Sequence, residues 1–296
     1  MRVAKTTPLW IAARDLLSGK GDDFFRLREQ VLATADPEEI HDLRVASRRL
    51  REGLALFSPC YPPEETARLG KAMKRVTRHL GAMRNTDEAL AFFSALAEEL
   101  DDCCREELKG LIRSFAARRD KGLKGFKAGL RRCAPPALRR DFLRTINSPR
   151  LFAPPVPGVD LLAPVSLFAA NTVTGRLAAV AELLPAAKNA GEIEAQHRLR
   201  IAVKHFRYRL ELLSFQIEAG FPEILATLKG YQEVLGKMHD LDVFAGIARE
   251  AGFAADAGRL VLARIRAKRE RLFAGFAEMV TAVPFEEIGA RIRSAG

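Results

Sequence analysis

The stretch HDLRVASRRLR at residues 41–51 occurs a second time as HRLRIAVKHFR at residues 197–207. Two further stretches repeat in the same order, namely LGAMRNTD at 80–87 with LGKMHDLD at 235–242, and Arg118-Arg119 with Lys268-Arg269. Matches that keep their order and nearly their spacing indicate an internal duplication. The chain is therefore predicted to contain two copies of one structural unit.

Each copy is predicted to be helical. Apolar residues recur at helical spacing, and no segment alternates with period two, so the predicted class is all-α. The predicted helices run over 8–34, 37–58, 63–83 and 86–133, the last broken near Asp101, with a short piece at 138–146, and over 164–186, 191–219, 222–238 and 240–282. Long helices joined by short loops pack antiparallel. We thus expect two tandem antiparallel four-helix bundles related by internal duplication, as a pseudo-twofold.

The predicted boundary between the copies is rich in proline. Residues 135–164 hold seven of the fifteen prolines of the chain, which excludes one continuous helix there. The predicted domains are a first bundle over 1–147, a linker over 148–163 and a second bundle over 164–296. Helix starts are indicated by Asp36 before Pro37, by Asn85 with Glu88, and by Pro222 after Phe221.

The repeated stretch places a basic stripe beside an apolar face. At about 100° per residue, the cations of the first copy fall within one arc next to the apolar arc that holds Leu43 and Leu50. The stripe comprises His41, Arg44, Arg48 and Arg51, and in the second copy His197, Arg200, Lys204 and Arg207. The simplest interpretation is a solvated charged face, but such faces usually mix signs because like charges repel. A repeated stripe of one sign instead indicates a surface that binds an anion.

Other repeated side chains extend this hypothesis. Lys74 and Lys229 repeat on the next helix, and in the first copy Lys71 and Arg78 share the face of Lys74. Arg119 and Arg269 repeat on the last long helix, where they either close the same groove or pair with the neighbouring Asp120 and Glu270. Asp87 and Asp242 are interpreted mainly as helix caps, and secondarily as carboxylates that orient a cation. Guanidinium groups and protonated imidazoles are suitable donors to phosphate.

Composition points to a polyanionic partner. The chain has 48 Lys and Arg against 37 Asp and Glu, a net charge of +11, which attracts nucleic acid, anionic membranes or phosphate polymers. The N-terminus lacks the pattern of a signal peptide, and the longest uncharged run, 161–175, is shorter than the roughly 20 residues of a membrane span. We therefore expect a cytoplasmic protein with reduced cysteines and no membrane partner.

No catalytic motif is recognisable. The stretch from Gly230 to Lys237 is one residue too long for a P-loop and lacks the hydroxyl. Acidic residues do not cluster in the repeated stretches, as a metal-dependent phosphohydrolase would require. The sequence thus predicts a protein that is not an enzyme and needs no cofactor.

With these repeated motifs, the chain over about residues 8–293 resembles the CHAD family, the conserved histidine α-helical domain proteins. The resemblance implies two four-helix bundles whose basic helices line a central cleft or pore, in which phosphate or sulfate ions would also bind. It implies binding of inorganic polyphosphate and association with polyphosphate granules. The residues that it implies as ligands are His41, Arg44, Arg48, Arg49, Arg51, Lys74, His197, Arg200, Lys204, Arg207 and Lys229. The chain departs from the family pattern at His205 and at Arg84-Asn85.

Two alternatives remain at this stage. One is a metal-binding or metal-dependent phosphohydrolase-accessory protein that uses His41, His197, Asp87 and Asp242. Cations beside those histidines disfavour a divalent metal there. The other is a general nucleic-acid binder, for which Tyr208 is the one candidate stacking side chain near the stripe.

Overall fold

The computed structural model describes residues 3–154, 156–217 and 219–294, and within those ranges the predicted all-α class is confirmed. No strand occurs in them, only isolated bridges between Pro8 and Pro164 and between Val156 and Val159. The helices are α1 Leu9–Thr34, α2 Pro37–Leu56, α3 Pro63–Glu99, α4 Asp102–Cys133, α5 Pro136–Ile146, α6 Val165–Ala187, α7 Ile193–Leu212, α8 Phe221–Glu250, α9 Ala255–Ala282 and α10 Phe285–Ser294. Single 3-10 turns cover Ser58–Cys60 and Ser214–Gln216.

The start of α2 follows the predicted signal. Ala35 adopts a left-handed conformation (φ 59°) that ends α1, and Pro37 stands in the first turn of α2. The Asp36 carboxylate accepts hydrogen bonds from the backbone N–H groups of Glu38 at 2.9 Å and Glu39 at 3.2 Å. This cap satisfies donors that have no partner inside the helix. The predicted break near Asp101 is also confirmed, since α3 ends at Glu99 and α4 begins at Asp102.

Two predicted helix breaks are wrong. α3 continues past Met83 to Glu99, and α8 continues past Met238 to Glu250. A glycine inside a helix costs only about 1 kcal/mol, so Gly81 and its counterpart Gly236 weaken the helix without ending it. Asn85 and Glu88 therefore do not cap a helix, and the Glu88 carboxylate instead accepts a hydrogen bond from Arg84 Nε at 2.9 Å.

The chain divides into two compact units, each built from two segments of sequence. The first contains Met1–Glu88 and Ala117–Ala170, and the second contains Ala89–Ala116 and Asn171–Gly296. The predicted linker at 148–163 lies inside the second segment of the first unit, and the predicted domain limits and duplication stay predictions.

In the first unit, α1 packs against α2 and α5. Phe24, Phe25 and Phe142 are buried in this packing. Arg28, also buried, donates from Nε to the carbonyl of Ala134 at 2.7 Å, which links α1 to the end of α4. The apolar face of α2, with Leu43 and Leu50, is fully inside. This burial fixes the direction in which the neighbouring, basic face of α2 points.

The second unit contains two apolar clusters. One is formed by α6, α7, the first part of α8, the end of α9 and α10, around Phe206, Tyr231 and Phe276. The Tyr231 hydroxyl donates to the carbonyls of Met279 at 3.1 Å and Val283 at 2.7 Å. The other cluster joins the later part of α8 and the start of α9 to residues 89–116. There Phe92 stacks on Phe244 with ring centroids 4.3 Å apart.

One helix of the described part, α6, is long and apolar enough to cross a membrane by length and composition. Its most apolar window has a mean hydropathy of 1.2, and 17% of that window is buried. The absence of a membrane partner stays an expectation.

Candidate functional site

The basic stripe of α2 lies beside α3 in the first unit. Ser47 Oγ is 3.1 Å from Thr77 Oγ1, and a Cβ on Gly81 would lie 3.9 Å from Arg44 Nε. Residue numbers thus rise on α3 as they fall on α2, so the two helices run antiparallel. Small side chains at this contact line keep the helices close.

Six cations form what we term the first basic surface. They are Arg48 and Arg51 of α2 and Lys71, Lys74, Arg75 and Arg78 of α3. On each helix they occupy an arc beside the contact line, on the side that faces away from the buried Leu50 and Val76, so the two arcs form one surface. The four α3 side chains are exposed, and the two α2 arginines are half-buried.

No carboxylate of the described residues forms an ion pair with any of these six cations. A groove of about 520 Å³ continues the contact line between α2 and α3, lined among others by Arg51, Leu54, Thr66 and Gly70. The sequence prediction named Arg48, Arg51, Lys71, Lys74 and Arg78 but missed Arg75. The spacing of i, i+3, i+4 and i+7 from Lys71 was the available signal.

Arg49 is not brought to this surface. It lines a different groove, of about 460 Å³ between α1 and α2, together with Asp23, Glu39 and Asp42. Cations and carboxylates alternate there, so this groove is not selective for anions. His41 and Arg44 lie on the stripe side of α2 and are half-buried.

In the second unit the stripe residues of α7 have partners inside the protein. Arg207 donates from Nε to Gln232 Oε1 at 2.9 Å and forms an ion pair with Glu211 at 3.0 Å, with 11% and 13% of the two side chains exposed. Its guanidinium also lies 4.9 Å from the ring centre of Tyr208. On α8, the exposed Lys229 lies 3.8 Å from Glu233. We term Arg200, Lys204, Arg207 and Lys229 the second basic surface.

His197 contacts a second histidine that the sequence analysis did not select. The Nδ1 atoms of His197 and His239 are 3.1 Å apart, and their ring centroids are 4.4 Å apart. Burial lowers the pKa of His239 to about 4, with a further contribution from the charges of Arg200, His197 and Lys204, against the opposing effect of Asp242. Neutral His239 therefore hydrogen-bonds the motif histidine without adding charge near neutral pH.

The two aspartates at matching positions of the repeat each bind an arginine. Asp87 Oδ1 accepts from Arg119 Nε at 2.7 Å, and Asp242 Oδ1 accepts from Arg269 Nε at 2.5 Å. Both aspartates lie inside helices, so their prediction as helix caps is wrong, whereas their prediction as carboxylates that orient a cation is confirmed. The alternative pairing of the arginines with Asp120 and Glu270 does not occur. A contact of Arg119 or Arg269 with an anion stays a prediction.

The structure also provides observations on the two alternative functions, metal binding and nucleic-acid binding. The described residues contain no group of three or more His, Cys, Asp or Glu side chains placed to hold a metal ion. Cys60 is buried, and burial raises the pKa of its thiol to about 12. Tyr208 is only 3% exposed, so its ring offers no face on which a base could stack.

Comparison with known proteins relates the chain to one family. The model of the CHAD domain matches residues 17–249. The fold is similar to the crystal structure of the CHAD domain from the plant Ricinus communis, with a TM-score of 0.65 and 23% identity over 99% of this chain and 94% of that one. It is also similar to PptA from Streptomyces chartreusis, with a TM-score of 0.71 and 17% identity over 93% of this chain and 100% of that one. No curated protein matches the chain.

Proposed function

This chain belongs to the CHAD domain family, as its repeated motifs predict, and from that premise we propose that it binds inorganic polyphosphate without cleaving it. The binding groups are the first basic surface, the second basic surface, the stripe residue Arg44 and the motif histidines His41 and His197. The expected place of binding is the cytoplasm, at polyphosphate granules.

The observation that supports this proposal most is the first basic surface. Six like charges within one patch repel each other, and no carboxylate of the described part pairs with them. A bound polyanion removes this repulsion and releases condensed counterions, so binding is favourable at low salt. Arginine forks also donate two parallel hydrogen bonds to phosphate oxygens.

A binding role agrees with the chemistry around these cations. Asp87 and Asp242, which occupy matching positions of the repeated stretches at 80–87 and 235–242, are bound to Arg119 and Arg269. In both pairs the guanidinium occupies one side of the carboxylate. The donors for phosphate oxygens thus outnumber the carboxylates at the first basic surface, which supports binding over cleavage.

Isothermal titration with long-chain polyphosphate tests the proposal directly. We expect binding at low salt that weakens steeply as salt rises, and no release of orthophosphate over the same period. Single-stranded RNA at equal phosphate concentration serves as the competitor. Absence of binding at low salt, release of orthophosphate, or displacement of polyphosphate by RNA at equal phosphate concentration would each contradict the proposal.

A further inference from the structure

The two basic surfaces differ at aligned positions. Aligning the stretch at 80–87 with that at 235–242 extends to a basic run on α3 and its counterpart on α8. The α3 residues Lys71, Lys74, Arg75 and Arg78 correspond to Ala226, Lys229, Gly230 and Glu233 of α8. One exposed face thus bears four cations in the first unit, whereas its counterpart bears one cation and one carboxylate.

Carboxylates also contact the second basic surface directly. Glu211 forms its ion pair with Arg207 one helical turn along α7, and Glu233 lies one turn beyond Lys229 on α8. The aligned positions in the first unit are Ala55, one turn beyond Arg51, and Arg78, one turn beyond Lys74. Both carboxylates of the second surface are therefore absent from the corresponding places in the first.

From these contacts we infer that the first basic surface is the main polyphosphate contact, and that Glu211 and Glu233 hold the second basic surface in a weakly binding state. The inference rests on the proposed function. A phosphate that approaches Arg207 competes with a carboxylate 3.0 Å from the guanidinium, and one that approaches Lys229 meets the negative charge of Glu233, 3.8 Å from the ammonium. A phosphate that approaches Lys74 or Arg78 replaces only water and mobile counterions.

The difference in phosphate binding between the two surfaces is larger at Arg207, because Arg207 and its carboxylate partner are largely buried. With 11% and 13% of their side chains exposed, Arg207 and Glu211 are only weakly screened by solvent. The Arg207 guanidinium is further held by Gln232, so its donors are directed inside the protein. Lys74 and Arg78 lie on an exposed helix face and are free to adapt to a flexible polyanion.

The test exchanges charge at one pair of aligned, exposed positions in the full chain. Arg78→Glu places a carboxylate in the first surface, and Glu233→Arg removes one from the second. We expect Arg78→Glu to weaken the affinity for long-chain polyphosphate by on the order of tenfold or more, and Glu233→Arg to strengthen it by roughly threefold, at low salt. Equal and opposite effects, or no gain from Glu233→Arg, would overturn the inference.

A second comparison uses two variants that each lose a single positive charge. Lys74→Gln and Lys229→Gln remove aligned, exposed lysines, and Lys74→Gln is expected to cost at least about threefold more affinity. Equal losses would again overturn the inference while leaving the proposed function in place, since the wild-type protein would still bind. Failure of the wild-type protein to bind polyphosphate would contradict the proposed function itself.

Discussion

Arg269 holds Asp242 with two hydrogen bonds, from Nε to Oδ1 at 2.5 Å and from Nη2 to Oδ2 at 3.3 Å. The same guanidinium donates to Gln196 Oε1 at 2.6 Å, so one arginine of α9 joins α7 and α8. In the first unit Arg119 joins α4 to α3 through one hydrogen bond to Asp87. These pairs position the helices that bear the two basic surfaces.

We predict that Asp242→Asn destabilises the protein. The change leaves the Arg269 guanidinium, 13% exposed, without its charged partner, and the expected cost is about 1–3 kcal/mol in the free energy of unfolding. Denaturant unfolding measures it. The matched control is Asp256→Asn, which removes an ion pair with Arg259 that is largely exposed and is expected to change stability by less than about 0.5 kcal/mol. Similar losses for both variants would mean that the Arg269 pair has no structural role.

Two glycines of α1 give a second prediction. A Cβ at Gly21 would overlap the ring of Phe142, which is itself buried, so Gly21→Ala is expected to cost about 1–3 kcal/mol. A Cβ at Gly19 meets nothing within 4 Å, and Gly19→Ala should stabilise the helix by up to about 1 kcal/mol. Thermal unfolding of both variants checks the pair. A stabilising Gly21→Ala would show that Phe142 does not pack against α1 as described.

The helix limits show what local sequence signals determine. The cap at Asp36 and the break at Asp101 were predictable, because a few neighbouring residues satisfy the backbone donors there. The continuation of α3 past Gly81 was not predictable, because it depends on the burial of Leu80 and Met83 and on the packing of Phe93 in an apolar cluster with distant segments. Packing of this kind outweighs the propensity of one glycine.

The pH dependence of stability gives a third prediction. His239 has a pKa of about 4 in the folded protein, below the ordinary value of ~6.5 for an unfolded chain. Between these values the unfolded chain binds a proton that the folded protein does not, so stability falls as pH falls through this range. His239→Gln should reduce the drop in melting temperature between pH 7 and pH 5 by about 2–4 °C.

The control for this measurement is Lys237→Gln on the same helix, which removes an exposed lysine and leaves His239 in place. It should keep the wild-type dependence on pH. If the melting temperature of His239→Gln fell between pH 7 and pH 5 as much as that of the wild type, the lowered pKa of His239 in the folded protein would be contradicted.

A fourth prediction separates the histidines of the stripe from its arginines. Histidine changes its charge between pH 5 and 8, whereas arginine remains charged throughout. The affinity for polyphosphate is therefore expected to fall as pH rises from about 6 to 8, and the double variant His41→Gln and His197→Gln should have a flatter profile. Titrations at several pH values measure it. A profile equally steep in this variant would show that the histidines only pack.

The arginine variant is the counterpart of that experiment. Replacement of both Arg44 and Arg200 by alanine should lower the affinity by on the order of tenfold or more at every pH, because each charge-assisted hydrogen bond contributes about 1.5–3 kcal/mol. The pH profile should keep its shape. An affinity unchanged from wild type would exclude these two arginines from the binding surface.

The candidate site was predictable where it depends on one helix. The stripe of α2 follows from the spacing of Arg44, Arg48 and Arg51, and the pairs of Arg207 with Glu211 and Lys229 with Glu233 are also visible as i, i+4 spacings. The contact of His197 with His239 was not predictable, because it depends on the register between α7 and α8. That Arg49 faces a different groove was likewise not predictable, because this depends on where α1 packs against α2.

The second unit combines an early segment of the chain with segments that are synthesised much later. Residues 89–116 present Phe93, Leu108 and Phe115 for burial against Leu241, Phe244 and Val261. The ribosome makes those partners about 125 residues later, which at 5–20 residues per second is roughly 6 to 25 s. During that interval these apolar side chains lack the partners that bury them in the folded second unit, which makes the nascent chain prone to aggregation.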